Sequence, residues 1–163
     1  MLLFVHRKAP RIEDVETAMR RLFRRFGLQD ARAEWDPDGG WIWRYERRAL
    51  PVEFRVRLRD ERSSELAARF SVALGTLPAA DENRPGVLAT YRRLLELNYE
   101  QIAVGALGVR ESLLVYDHVF DLDRDTFSDL GEYLEWLAEQ ARRAADELRA
   151  LAARIDEQAG SAA

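Results

Sequence analysis

The chain has 163 residues, of which 47% are hydrophobic and 33% charged, with a net charge of −4 and no cysteine. That is enough apolar side chain for one globular domain. Without cysteine there is no disulfide, thiolate zinc site or cysteine nucleophile, and His6 and His118 are the only histidines, so most hydrolytic and zinc chemistry lacks its ligands. No apolar run reaches the roughly 20 residues of a membrane span, and Met1-Leu2-Leu3-Phe4-Val5 is too short for a signal peptide, so the default expectation is a cytoplasmic protein without membrane attachment.

After an N-terminal arm (1–10), Ile12, Val15, Met19, Leu22, Phe23 and Phe26 share one helical stripe, with Arg20, Arg21, Arg24 and Arg25 mostly outside it. Pro10 opens this helix and Gly27 closes it, giving residues 11–27. The period then falls from 3.6 to 2. A weak strand is expected over 31–35, a turn at Asp36-Pro37-Asp38-Gly39-Gly40, and a strand over 41–46 in which Trp41, Trp43 and Tyr45 alternate with other residues. A bend at Ala49-Leu50-Pro51 leads to a fully alternating strand over 52–59, so the two are expected to be antiparallel. Leu66, Ala68, Phe70, Val72 and Leu74 mark another strand, which completes the strand region 28–76 before a loop over 76–86.

Pro85-Gly86 opens a second helix over 85–98, in which Val87, Tyr91, Leu94, Leu95 and Asn98 keep helical spacing. Segments 102–107 and 112–120 read as a hairpin across Gly108-Val109-Arg110-Glu111, and a long helix follows over 126–157 with a small-residue tail at 158–163. The expected class is a single α+β domain with an antiparallel sheet, in the order helix, strands, helix, hairpin, long helix.

The long helix carries Phe127, Leu130, Leu134, Leu137, Ala141, Ala144, Leu148, Leu151 and Ile155 in heptad register. Gly131, Ala138, Ala145 and Ala152 follow the d positions, and their small size permits close approach of a neighbouring element. At 1.5 Å per residue such a helix is roughly 48 Å long, against a radius of gyration of roughly 15 Å for a compact chain of this size. Its last heptads are therefore expected to overhang, with Leu134, Leu137, Leu148, Leu151 and Ile155 available for packing or dimerisation.

Residues 1–62 carry 15 basic and 11 acidic side chains, whereas 63–163 carry 10 and 18. An acidic second half of this kind attracts a basic partner, such as a nucleic-acid-binding protein, and disfavours direct nucleic-acid binding. The alternative is a stacking sheet for single-stranded nucleic acid formed by Arg44, Arg55, Arg57 and Arg59 beside the aromatics; with Glu53 in their midst these arginines read better as a solvated face. Asp121, Asp123, Asp125, Asp129 and Glu132 imitate the spacing of a calcium loop, but Thr126 stands where the sharp turn needs glycine, and helix capping explains these carboxylates as well. Asp117-His118 has no nucleophile beside it in sequence, so no catalytic residue, metal or cofactor is assigned.

Leu94-Leu95-Glu96-Leu97-Asn98, then Ala103-Val104-Gly105-Ala106-Leu107, then Leu113-Leu114-Val115-Tyr116 resembles the core of the YbjN-like proteins, which share the fold of the type III secretion (Tir-type) chaperones. The likeness covers residues 87–140, and over 11–75 only element order and hydrophobic spacing agree. It implies a small, acidic, homodimeric, non-catalytic protein that binds another protein over hydrophobic patches or by strand addition at an open sheet edge. With no sign of a secretion system in the sequence, the expected function is a general adaptor or chaperone-like regulator. Trp41 and Trp43, where strand register turns them outward, and Trp136 on the long helix are the candidate recognition residues.

Overall fold

A computed structural model describes residues 10–28, 32–37, 39–59, 65–77 and 84–161. Helix α1 (Ile12–Phe26) is followed by strands β1 (Ala33–Trp35), β2 (Trp41–Arg47), β3 (Leu50–Leu58) and β4 (Leu66–Thr76). Helix α2 (Arg84–Glu100), strands β5 (Ala106–Arg110) and β6 (Leu113–Asp121), a short α3 (Arg124–Ser128) and the long α4 (Leu130–Ser161) complete the chain. The strands form one six-stranded antiparallel sheet in the order β1-β2-β3-β4-β6-β5, so the fold is α+β as the periodicities require.

The chain divides into two compact units: Met1–Tyr45, Glu53–Phe70 and Val119–Glu135 form the first, and Glu46–Val52, Ser71–His118 and Trp136–Ala163 the second. In the first unit α1 buries Val15, Met19, Leu22 and Phe23, the stripe its spacing implies. The Asp14 carboxylate accepts from the Arg11 N–H at 2.9 Å, and Gly27 ends the helix in the left-handed conformation at φ 71°. Gly131 stands where an added Cβ would lie 3.1 Å from Leu22 Cδ1, so its lack of a side chain lets the start of α4 approach α1. The rings of Trp43, Phe54, Phe120 and Tyr133 form a continuous series with neighbouring centroids 5.8, 6.5 and 5.1 Å apart.

Ile42 and Trp43 are adjacent in β2 and both buried, which strict alternation in an amphipathic strand does not allow; both faces of β2 are covered there. The β2–β3 bend lies at Arg48-Ala49, both at positive φ (55° and 58°), rather than at Ala49-Leu50-Pro51. This two-residue hairpin geometry matches the strand twist and leaves Leu50 and Pro51 inside β3.

In the second unit the hairpin is shorter than its sequence suggests. Residues 102–105 are irregular, and Gly108, Val109 and Arg110 belong to β5, with the turn at Glu111 and Ser112. Gly105 accounts for the difference: at φ 76° it presses against β6, where an added Cβ would lie 2.6 Å from the Asp117 carbonyl oxygen.

The expected single helix from 126 is divided at Asp129. Asp123 caps α3 by accepting from the Thr126 N–H at 2.8 Å, and the Asp129 carbonyl accepts the first bond of α4, from Tyr133. α4 continues to Ser161, so most of the expected tail is helical.

Candidate protein-binding surface

Helix α2 carries two apolar stripes. Val87, Thr90, Leu94 and Leu97 are buried, whereas Leu88, Tyr91, Leu95 and Tyr99 are 61%, 44%, 72% and 93% exposed. Spacings of three, four and four residues place the second set on one face of the helix, about 16 Å long. Tyr91 and Leu95, which keep the helical spacing of a core stripe, thus point outward. Such a row of large apolar side chains exceeds the scattered exposure usual on a protein surface. The sequence reading put Val87, Tyr91, Leu94 and Leu95 on one stripe, and the fold divides them between a covered and an exposed face.

The borders of this face are polar and locally satisfied. Arg92 Nε and Arg93 Nη1 donate to Glu96 at 3.0 and 3.2 Å, and Arg93 Nη2 reaches Glu147 on α4 at 2.9 Å. The two arginines hold the Glu96 carboxyl below the usual carboxylate range. Asn98, where α2 meets β5, accepts from the Leu107 N–H at 2.7 Å and donates to the Leu107 carbonyl at 2.9 Å. Both main-chain groups of Leu107 on the edge strand are therefore bonded by one side chain, which blunts the edge for strand addition at this residue.

The end of α2 runs into Gln101, Ile102 and Ala103, which line a groove of about 420 Å³ with Trp136, Gln140 and Arg143. Trp136 is 41% exposed. The Ala103 N–H donates to Gln140 Oε1 at 3.1 Å and fixes the amide, while Gln140 Nε2 is buried and makes no hydrogen bond. An indole and a guanidinium lining the groove suit a main-chain carbonyl or carboxylate.

The remaining sequence candidates are dispersed. Trp43 is 2% exposed and packs on Phe54, so it belongs to the core and no partner reaches it. Trp41 is half-buried and meets Trp35 edge-on at 4.9 Å across the β1–β2 pair. Leu134, Leu137 and Leu148 are 1%, 0% and 6% exposed within the single chain, which assigns them to internal packing rather than to a dimer seam. Leu151 and Ile155 are partly covered and line a cleft with Ala89, Arg92 and Arg93 of α2, so this part of α4 lies alongside α2.

Of the sheet arginines, Arg44 pairs with Glu34 and Glu53, Arg55 with Asp36 and Glu53, and Arg59 with Glu65 and Asp121. Arg57 is exposed. Three of the four thus carry a compensating carboxylate, which removes most of the charge a nucleic-acid backbone would require.

His118 is partly buried, which lowers its pKa against the opposing charge of Asp117, and Asp117 accepts from Arg110 at 3.0 Å. In the run that imitates a calcium loop, Asp121 pairs with Arg59 and Asp123 caps α3. Among the described residues, no three histidine or carboxylate groups gather in a geometry that holds a metal ion. No described helix is long and apolar enough to cross a membrane. The sequence matches no family model, and no curated protein is significantly similar to it.

Proposed function

We propose that this chain is a non-catalytic, protein-binding adaptor or chaperone-like regulator that acts as a homodimer. The observation that carries the reading is the exposed Leu88-Tyr91-Leu95-Tyr99 face of α2. Its order is self-complementary: antiparallel pairing about a two-fold axis between Tyr91 and Leu95 sets each tyrosine against a leucine of the other copy. The long helix supplies the core, and α2 takes over the assembly role expected of its heptads. The groove beside Trp136 is then the place for the client's main chain. The resemblance of residues 87–140 to YbjN-like proteins supports the same class.

The test is light scattering on a size-exclusion peak. The wild type is expected at twice 18.8 kDa and Leu95→Asp at 18.8 kDa with an unchanged far-ultraviolet spectrum. A wild-type monomer at all concentrations would refute the dimer.

A further inference from the structure

Most arginines of the sheet and of α4 sit against carboxylates, but of the four late in α1 only Arg20 has one within ion-pair distance. Arg20, Arg21, Arg24 and Arg25 occupy two i,i+4 pairs of like charge on the last two turns, an arrangement that costs a few tenths of a kcal/mol per pair on an isolated helix. The helix C-terminus offsets part of that cost. Arg20 has one distant partner, Glu16 at 3.9 Å, and among the described residues no carboxylate lies within ion-pair distance of Arg21, Arg24 or Arg25.

Arg20 and Arg24 border a groove of about 630 Å³ whose other walls include Arg32 and Glu16. Leu28, half-buried, contributes its apolar surface, and Phe23 and Trp43 lie covered behind it. Among the described residues, three guanidinium groups stand against one carboxylate there, which leaves the rim cationic beside the apolar side chain of Leu28. A bare phosphate backbone uses the rim and wastes the apolar side chain, whereas a peptide that alternates acidic and apolar side chains uses both.

We propose that the α1 groove is a docking site for an acidic, amphipathic segment of a partner protein, with carboxylates on Arg20, Arg24 and Arg32 and an apolar side chain against Leu28. This surface belongs to the first unit, uses none of the α2 face, and stands whether or not the chain dimerises. It also reverses the charge expected of the partner: net charge points to a basic client, but the uncompensated local charge is positive.

The experiment is fluorescence anisotropy with a short fluorescein-labelled peptide of repeating Glu-Leu-Asp-Phe. Saturable binding to the wild type is expected, weakened about tenfold or more by Arg20→Ser with Arg24→Ser, weakened by added salt, and unchanged by Arg149→Ser. Absence of saturable binding, or binding indifferent to the double substitution, overturns the proposal. So does tighter binding of a labelled oligothymidylate with the same arginine dependence, which would make the groove a nucleic-acid site. A charge-reversed Lys-Leu-Arg-Phe peptide on the wild type supplies a check that needs no variant to fold: affinity equal to that of the acidic peptide also overturns it.

Discussion

Arg55 illustrates how one side chain changes meaning between sequence and structure. On an alternating strand among other arginines it reads as part of a cationic surface, yet its Nη1 lies 2.6 Å from Asp36 Oδ2, whose side chain is only 7% exposed. Removing the guanidinium takes this ion pair from a carboxylate nearly out of water, so Arg55→Ala is expected to lower unfolding stability by about 3 kcal/mol. The exposed Arg57→Ala should change it by less than about 0.5 kcal/mol. Urea melts of the two variants measure the difference.

Glu139 makes the matching case for pH. Arg142, aided by Arg143 and by Arg48 from the β2–β3 turn, holds its carboxyl down from 4.5 to about 2. A carboxylate depressed in the folded state contributes stability that is present above the unfolded value and lost as pH falls through the folded one. Wild-type stability is thus expected to decline between about pH 4.5 and about pH 2, the interval between those two values. In thermal melts Glu139→Gln should be less stable by about 1 kcal/mol at neutral pH and flatter over the acid interval.

At the scale of elements, the stripes of α1 and of α4 were legible because a long amphipathic period admits one solution, and the middle residues of each stripe are buried while Ile12, Phe26, Phe127, Leu151 and Ile155 at the ends are partly covered. Element ends were less legible. Asp129 divides the last helix and Gly105 delays β5, and both effects depend on backbone conformations set by neighbouring chain. Asn98 is the clearest case: in sequence it ends a helical stripe and the Leu94–Asn98 motif with no partner indicated, whereas in the fold it bonds both main-chain groups of Leu107. Asn98→Ala is expected to cost about 1 to 3 kcal/mol by leaving those groups unpaired. It should also increase aggregation on heating, since the β5 edge is then open. Differential scanning calorimetry with light scattering reads both effects, and an unchanged midpoint with unchanged turbidity would refute the clamp.

At the scale of the whole molecule, assembly turns on which apolar surface is left over after folding. The heptads of α4 compete for that role on sequence grounds, but Leu134, Leu137, Ala141, Ala144, Ala145 and Leu148 are all buried in the single chain. The stripe of α2 is not, and the dimer proposed from it has a thermodynamic signature besides mass. If folding and association are linked through that face, the wild-type melting midpoint rises with protein concentration, whereas that of Leu95→Asp does not.

By itself the sequence determined the fold class, the element order, the inward stripes of α1 and α4, and the absence of cysteine chemistry, since these follow from residue type and local period. The tertiary structure alone decided that Trp43 is core and Trp136 surface, that three of the four sheet arginines are neutralised, and that α2 rather than α4 presents an apolar face. The physical reason is common to all three. Periodicity says which side chains share a face, but burial and charge compensation depend on what the rest of the chain brings against that face. Carboxylates as far apart in sequence from their arginines as Asp121 is from Arg59 are brought there only by folding.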